Sequence, residues 1–313
     1  MYMYLIIGII VLLVMAILVY YLIASYKIFK TSFFKKSSKN KPLSSPDKKQ
    51  ILIHDDVFLD SHLFTLLSIP ASKNKSLNGY FLKNNNSHKY LISVHGYRGC
   101  FQELSLIDHY IYDNLGFNLL MIEQRGHGNS DYKVITFGNK ECEDLLKWIN
   151  YIVLNDPKAE ICLLGFSMGA STVLNTLGLK KLPSNVKCAI SDSAFSSTKK
   201  EYFYILERKS KNRFVNHLAY LGIKLFSLVY GFSFTKNYPS KNLKKSKTPT
   251  LLLHGSIDTL VPCYMLDENY NSIPNNIYKQ KEMFLGAWHG MEIIIDSKRY
   301  TKTISDFINK FIK

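Results

Sequence analysis

Acid is scarce in this chain. Its 313 residues carry 24 Asp and Glu against 40 Lys and Arg, a formal net charge of +16. So large an excess points to anionic surroundings: a membrane surface, nucleic acid or an acidic substrate. Cysteine is scarce as well. Cys100, Cys142, Cys162, Cys188 and Cys263 are odd in number and form no C-x-x-C spacing, which speaks against a disulfide framework or a zinc site. Cys162 and Cys188 lie inside strand-like apolar runs and are expected to be buried free thiols. The nine histidines show no H-x-H or H-E-x-x-H spacing, so no metal centre is expected. No internal repeat occurs. Nucleic-acid binding has only the net charge behind it, because no recognition motif accompanies the lysines.

What is present begins with "YLIIGIIVLLVMAILVYYLIAS", residues 4–25, without a single charge. At about 1.5 Å per residue a helix of this length covers the roughly 30 Å hydrocarbon core, so a single-pass membrane span is expected. A cleaved signal peptide is the competing reading. Against it stand the missing basic n-region, an apolar stretch longer than an h-region, and "IASYK", a poor cleavage site. Tyr4, Tyr20 and Tyr21 suit the interfacial belts. Lys27, Lys30, Lys35, Lys36, Lys39 and Lys41 follow with no acid among them, which puts the bulk of the protein in the cytoplasm, with an extracytoplasmic domain as the alternative. The stretch "KKSSKNKPLSSPDKK" reads as a solvated linker that can also sit on anionic headgroups. The expected organisation is an anchor at 1–26, a basic linker at 27–50 and one large domain at 51–313.

Beyond the linker, β-like runs alternate with helical ones, the mark of an α/β fold. "FTLLSI" (64–69) and "LNGYFL" (77–82) predict an antiparallel lead-in. Buried strands follow at 90–95, 118–124, 160–166, 186–192, 248–254 and 281–285. Leu145, Trp148, Ile149, Ile152 and Val153 make an apolar helix face within 138–154, and Tyr300, Ile304, Phe307, Ile308 and Phe311 make another at the C-terminus; both read as core. At 165–171, "GFSMGAS" sets Ser167 between Gly165 and Gly169, each two places away. Such flanking suits a strand-to-helix turn so tight that Cβ atoms there would collide, with strained angles on the serine and an exposed hydroxyl. The plain alternative is a helix cap, and a lone G-x-S-x-G also arises by chance.

Context decides. The strands close in polar or glycine-rich clusters: "HGYRG" (95–99), "RGHGNS" (125–130), "GFSMG", "HGSIDTLVP" (254–262) and "GAWHG" (286–290). Clusters at carboxyl ends are where a doubly wound sheet gathers its chemistry. Over residues 60–313, these five motifs together resemble the α/β-hydrolase superfamily. The likeness is to the branch with monoacylglycerol lipases, serine aminopeptidases and membrane-anchored bacterial hydrolases of unassigned substrate. The resemblance implies a mostly parallel doubly wound sheet and a triad in the order Ser, Asp, His, for which this chain supplies Ser167, Asp258 and His289. Asp192, ending a strand, is the rival acid. Two backbone amides are implied as oxyanion donors, those of Met168 and Tyr97. His95, His127 and His254 read as loop-shaping residues. Glu123 stands where many relatives have Asp, and Trp288 replaces a small residue and is expected to narrow the acyl site.

About fifty residues separate "SDSAFSS" from the strand near Thr248, so a helical cap is expected at about 195–247. Its stretch "FVNHLAYLGIKLFSLVYGF" (214–232) is mostly apolar and is expected to receive an acyl chain. The rim is basic, with only Glu201 and Glu207 as counterweight. A peptidase needs carboxylates to hold a substrate ammonium, so this cap favours esters. The expectation is a membrane-anchored serine hydrolase of carboxylic esters, small or lipid-like, with the bilayer as a partner and without metal or organic cofactor or nucleic acid. An aminopeptidase or amidase, betrayed by a hidden acidic pocket in the cap, is the alternative, as is a non-catalytic anchored binding protein. A chain lacking residues 1–45 is expected to keep full turnover of small soluble esters.

Overall fold

The computed structural model describes residues 2–35, 55–236 and 238–313. It begins with α1 (Tyr2–Phe33), followed by the short α2 (Asp56–Ser61) and a hairpin of β1 (Thr65–Ser72) and β2 (Lys75–Leu82). Next come β3 (Lys89–Val94), α3 (Ser105–Leu115), β4 (Asn118–Ile122), α4 (Glu141–Asn155), β5 (Glu160–Phe166), α5 (Met168–Thr176) and β6 (Val186–Asp192). The insertion that follows holds α6 (Thr198–Lys209), α7 (Arg213–Val229) and α8 (Pro239–Asn242). The chain closes with β7 (Thr250–Gly255), α9 (Tyr264–Ser272), β8 (Lys279–Phe284), α10 (Glu292–Ile295) and α11 (Ser297–Phe311).

The eight strands form one sheet in the order β1-β2-β4-β3-β5-β6-β7-β8, antiparallel between β1, β2 and β4 and parallel from β4 onward. Helices cover both faces. On one, Leu145, Trp148, Ile149 and Ile152 of α4, at helical spacing, meet Ala170, Val173 and Leu174 of α5. On the other, Ile107 and Ile111 of α3 pack with Tyr300, Ile304, Phe307 and Ile308 of α11. Strands β3 to β7 are buried on both faces, which is why they read as mostly apolar runs. Cys162 and Cys188 are buried free thiols facing each other across β5 and β6, and Cys142 is buried too.

The parallel register brings the carboxyl ends together. Val94 pairs with Gly165, Phe166 with Asp192, Asp192 with Leu253, and Gly255 with Phe284. Every loop that carries a motif therefore starts from one edge of the sheet.

The N-terminal helix differs from the expected boundary. It runs to Phe33, through the first third of the expected linker at 27–50; residues 36–50 of that linker, with Lys36, Lys39 and Lys41, lie outside the described residues. The reason is apolar: Phe29 and Phe33, four residues apart on one helix face, are fully buried with Phe232, Phe234, Tyr220 and Ile223 of the insertion. Beyond the helix, the Ile135 amide donates to the Phe33 carbonyl at 2.7 Å and the Lys35 amide to the Lys133 carbonyl at 2.8 Å. Residues 21–35 thus belong to the globular unit, and the expectation for a chain lacking 1–45 is revised. Removing residues 2–20 should leave soluble-ester turnover unchanged. Phe33→Ala should cost about 3–5 kcal/mol, a fall in melting temperature of roughly 10 °C for a domain of this size. A melt within about 2 °C of wild type would return these residues to the linker.

Candidate active site

Ser167 sits between β5 and α5 with φ 54° and ψ −117°, a strained backbone for a residue with a Cβ. The neighbouring glycines make the turn possible. A Cβ on Gly165 would lie 2.5 Å from the Gly169 carbonyl oxygen, and one on Gly169 would overlap the Val94 carbonyl. The Ser167 amide donates to the Asp192 carbonyl at 2.8 Å, tying the turn to the next strand.

The turn aims the hydroxyl at His289. His289 Nε2 is 2.9 Å from Ser167 Oγ, and Nδ1 is 2.6 Å from Asp258 Oδ2. With Nδ1–H donating to the carboxylate, Nε2 keeps its lone pair for the serine proton. Asp258 is sealed inside. Burial opposes its ionisation, but the His289 charge and the hydrogen bonds from His254 and His289 outweigh burial and hold its pKa well below the ordinary carboxylate range. Its other oxygen, Oδ1, accepts the Leu260 and Val261 amides at 2.8 and 2.9 Å, which fixes the carboxyl plane. Asp192 lies elsewhere: Oδ2 accepts from Tyr300 Oη at 2.7 Å and Oδ1 from Ser193 Oγ at 3.1 Å.

Met168 opens α5, so its amide has no intrahelical acceptor. The Tyr97 loop runs against the serine, since a Cβ on Gly96 would lie 3.3 Å from Ser167 Cβ. Three side chains hold that loop, of which Glu103 and Arg98 were not singled out in the sequence. Glu103 accepts the Gly96 amide at 2.5 Å, and burial raises its pKa to about 7 against that hydrogen bond and the His289 charge. The Tyr97 hydroxyl donates to the Ser32 carbonyl at 2.7 Å, and the Arg98 guanidinium donates to the Thr31 carbonyl. The end of α1 is thereby wired to the loop beside the nucleophile. Its sequence signal was the aromatic pair Phe29 and Phe33 continuing the helical period past the last apolar run.

His95 and His127 staple loops. His95 bridges the Gly96 carbonyl and the Gln124 amide, while His127 bridges the Arg125 carbonyl and the Arg98 amide. Burial lowers the His95 pKa to about 4, so it is neutral. His254 is more than a staple: Nε2 lies 3.0 Å from the Val261 carbonyl and 3.3 Å from Asp258 Oδ2. Glu123 accepts the Asn129 amide at 2.6 Å and fills the space a Cβ on Gly128 would need. Arg125 makes a two-pronged contact with Asp144 at 2.6 and 2.9 Å, clamping its loop to α4. Trp288, expected to narrow the acyl site, is 51% exposed. Met168, next to Ser167 in the chain, belongs to a buried apolar cluster with Ile135, Phe195, Val261 and Met265, on which Tyr97 and Phe137 pack. Among the described residues, no three His, Cys, Asp or Glu side chains are grouped to hold a metal ion.

In the cap, Glu201 Oε2 is sealed from solvent without a hydrogen-bond partner. Burial, with the nearby Asp258 charge, raises its pKa to about 8.

Comparison with known proteins agrees with this architecture. The family described as serine aminopeptidase, S33, matches residues 85–226. The uncharacterized protein YqkD of Bacillus subtilis is 23% identical over 251 residues, 78% of this chain and 79% of its own. The Pyrococcus furiosus esterase Pf2001 superposes with a TM-score of 0.65 at 22% identity, over 81% of this chain and 94% of its own. The Pyrococcus horikoshii acylaminoacyl peptidase gives 0.57 at 17% identity, over 82% of this chain and 43% of its own. The fold is that of the α/β-hydrolase superfamily.

Proposed function

We propose that this chain, an α/β-hydrolase by fold, is a serine hydrolase held at a membrane by α1 that cleaves carboxylic esters with lipid-like acyl groups through an acyl-Ser167 intermediate. The observation that carries the reading is the unbroken line from Asp258 through His289 to Ser167 Oγ. A serine hydroxyl is a poor nucleophile near neutral pH. His289 Nε2 takes its proton as Oγ attacks the ester carbonyl, and Asp258 stabilises the imidazolium that forms. The carbonyl oxygen becomes an oxyanion, for which the Met168 and Tyr97 amides are the proposed donors. Collapse expels the alcohol with the proton from His289. Water, deprotonated by the same histidine, then releases the acid and frees the serine.

Ester preference rests on the apolar character of the cluster that holds Met168, the residue after the nucleophile. Membrane attachment rests on α1, whose apolar window has mean hydropathy 3.1 and is free of protein contact. Lys27, Lys30 and Lys35 just past it favour a cytoplasmic domain.

Glu201 favours a second reading. A buried, unpartnered carboxyl near the triad acid is a place for a substrate ammonium, which suits an aminopeptidase. Turnover of p-nitrophenyl esters of graded acyl length, set against aminoacyl p-nitroanilides with a free amine, separates the two. The ester reading expects an optimum at medium or long acyl chains and a change of no more than about twofold in Glu201→Gln. A loss of tenfold or more in kcat/KM on the anilides alone would establish the other. The carboxyl also has a stability signature. Its pKa is raised from an ordinary 4.5 to about 8, so the folded protein binds more protons than the unfolded chain in that interval and wild type loses stability as pH rises through it. Glu201→Gln has nothing to ionise, so its melting temperature should gain on wild type from about pH 5 to 8. A difference independent of pH would mean that Glu201 is not held protonated.

A further inference from the structure

Helices α1 and α7 lie side by side in parallel. The Tyr21 hydroxyl donates to the Leu218 carbonyl at 2.9 Å. One turn on, Gly222 has no side chain and admits Ser25, whose side chain a Cβ there would overlap. A further turn on, the Phe226 ring lies 5.3 Å from Tyr26 and 5.9 Å from Phe29. The two numberings rise together in steps of four, which fixes the relative level of the helices.

Residues 2–20 of α1 are all exposed, and Tyr21 is the first that the globular unit partly covers. Those 19 residues make about 28 Å of helix, the thickness of a hydrocarbon core. Extended backward from the Tyr21–Leu218 pairing, the register puts Phe214 level with Ile17 and Arg213 with Ala16. The first turn of α7 therefore overlaps the last exposed turn of α1. Phe214 is 71% exposed, and Val215, Leu221, Leu225 and Leu228 continue an exposed apolar stripe next to the edge that touches α1. Around this tip Arg208, Lys209, Lys211 and Arg213 are exposed, and none pairs with a carboxylate among the described residues; Glu207 is the one acid beside them.

We infer that the α6–α7 turn is a second membrane contact: Phe214 and Val215 enter the leaflet that α1 leaves, and the four basic residues sit on anionic headgroups. An apolar tip inside a basic ring is the arrangement of an interfacial helix. The inference rests on the reading of α1 as a membrane span. Its consequence is that the cap is held at the bilayer surface. α7 packs through Tyr220 on Phe203 of α6, so the helix that meets the bilayer is packed on the helix that carries Glu201.

The test uses the full chain in phosphatidylcholine vesicles with and without phosphatidylglycerol, and acyl-brominated lipid as a contact quencher. Phe214→Trp is compared with Leu12→Trp in the span and Leu154→Trp, an 82% exposed position on α4, each against the two native tryptophans. The expected result is blue-shifted, quenched emission from positions 12 and 214 and no quenching at 154. Quenching at 12 without quenching at 214 overturns the second contact and leaves the anchor standing. No quenching at 12 overturns both. A blue shift at 214 without quenching puts protein, such as a second copy of the chain, on this face and also overturns the proposal. In the activity arm, Lys209→Gln, Lys211→Gln and Arg213→Gln together should lower turnover of a vesicle-borne ester roughly tenfold on phosphatidylglycerol-containing vesicles and leave a soluble short-chain ester unchanged. Equal turnover on both vesicle types, for both proteins, removes the headgroup contact.

Discussion

Ser167→Ala is expected to lower ester turnover by at least about 10³-fold, equivalent to roughly 4 kcal/mol of lost transition-state stabilisation, and to end labelling by a fluorophosphonate. The fold should persist, because the hydroxyl's bond is to His289 and the turn is held by backbone contacts and by Gly165 and Gly169. Alanine bears the same strain at φ 54° that serine does. His289→Ala should cost as much, and the double variant little more than either alone, since the two side chains act as one unit. Residual turnover above the uncatalysed rate would come from the Met168 and Tyr97 amides, which neither change touches. Mass spectrometry of the labelled protein should find the adduct on Ser167 alone. An adduct on another serine, or full activity in Ser167→Ala, would remove the nucleophile from the proposal.

Much of this architecture was legible because it is written in local chemistry. Strands β3 to β7 announced themselves as apolar runs since they are buried on both faces, and α4 and α11 as stripes at helical spacing because each has one buried side. Gly165 and Gly169 revealed the turn because glycine was required where a Cβ would strike backbone. What escaped was non-local. Glu103 reads as an ordinary surface acid until β3 and the turn after it bring its carboxylate onto the Gly96 amide. Glu201 reads as part of a solvated rim until α6 folds it toward Asp258. Lysine content misled at residues 27–35: Lys27 and Lys30 do face solvent, but Phe29 and Phe33 on the other side of the helix pack against residues some two hundred positions later. A charge run says where a segment meets water and not whether its other side is covered.

Asp258→Asn should lower turnover by about 10⁴-fold, on the scale seen where this change leaves geometry intact but imposes the wrong histidine tautomer. Asp258 accepts through Oδ2 from His289 and through Oδ1 from the Leu260 and Val261 amides. Those two amides demand an oxygen at Oδ1, so asparagine must place its NH₂ toward His289. The amide then donates to Nδ1, the ring proton moves to Nε2, and Ser167 faces a donor where it needs a base. Asp192→Asn is the control. Its carboxyl also lies at a strand end, but its oxygens accept from Tyr300 and Ser193, and burial raises its pKa. Its cost in turnover should stay below about tenfold. The two acids should also differ in stability against pH. Asp258 has a folded pKa below its ordinary 3.8, so its ionisation contributes stability that is present above that value and is lost as pH falls toward the folded one. Asp258→Asn should therefore flatten the acid limb of the melting curve below about pH 4, and Asp192→Asn, whose pKa moves the other way, should not. Kinetics and melts on the two variants at matched pH check both statements. Equal losses of turnover would show that His289 does not depend on Asp258, and the line from acid to nucleophile would have to be redrawn.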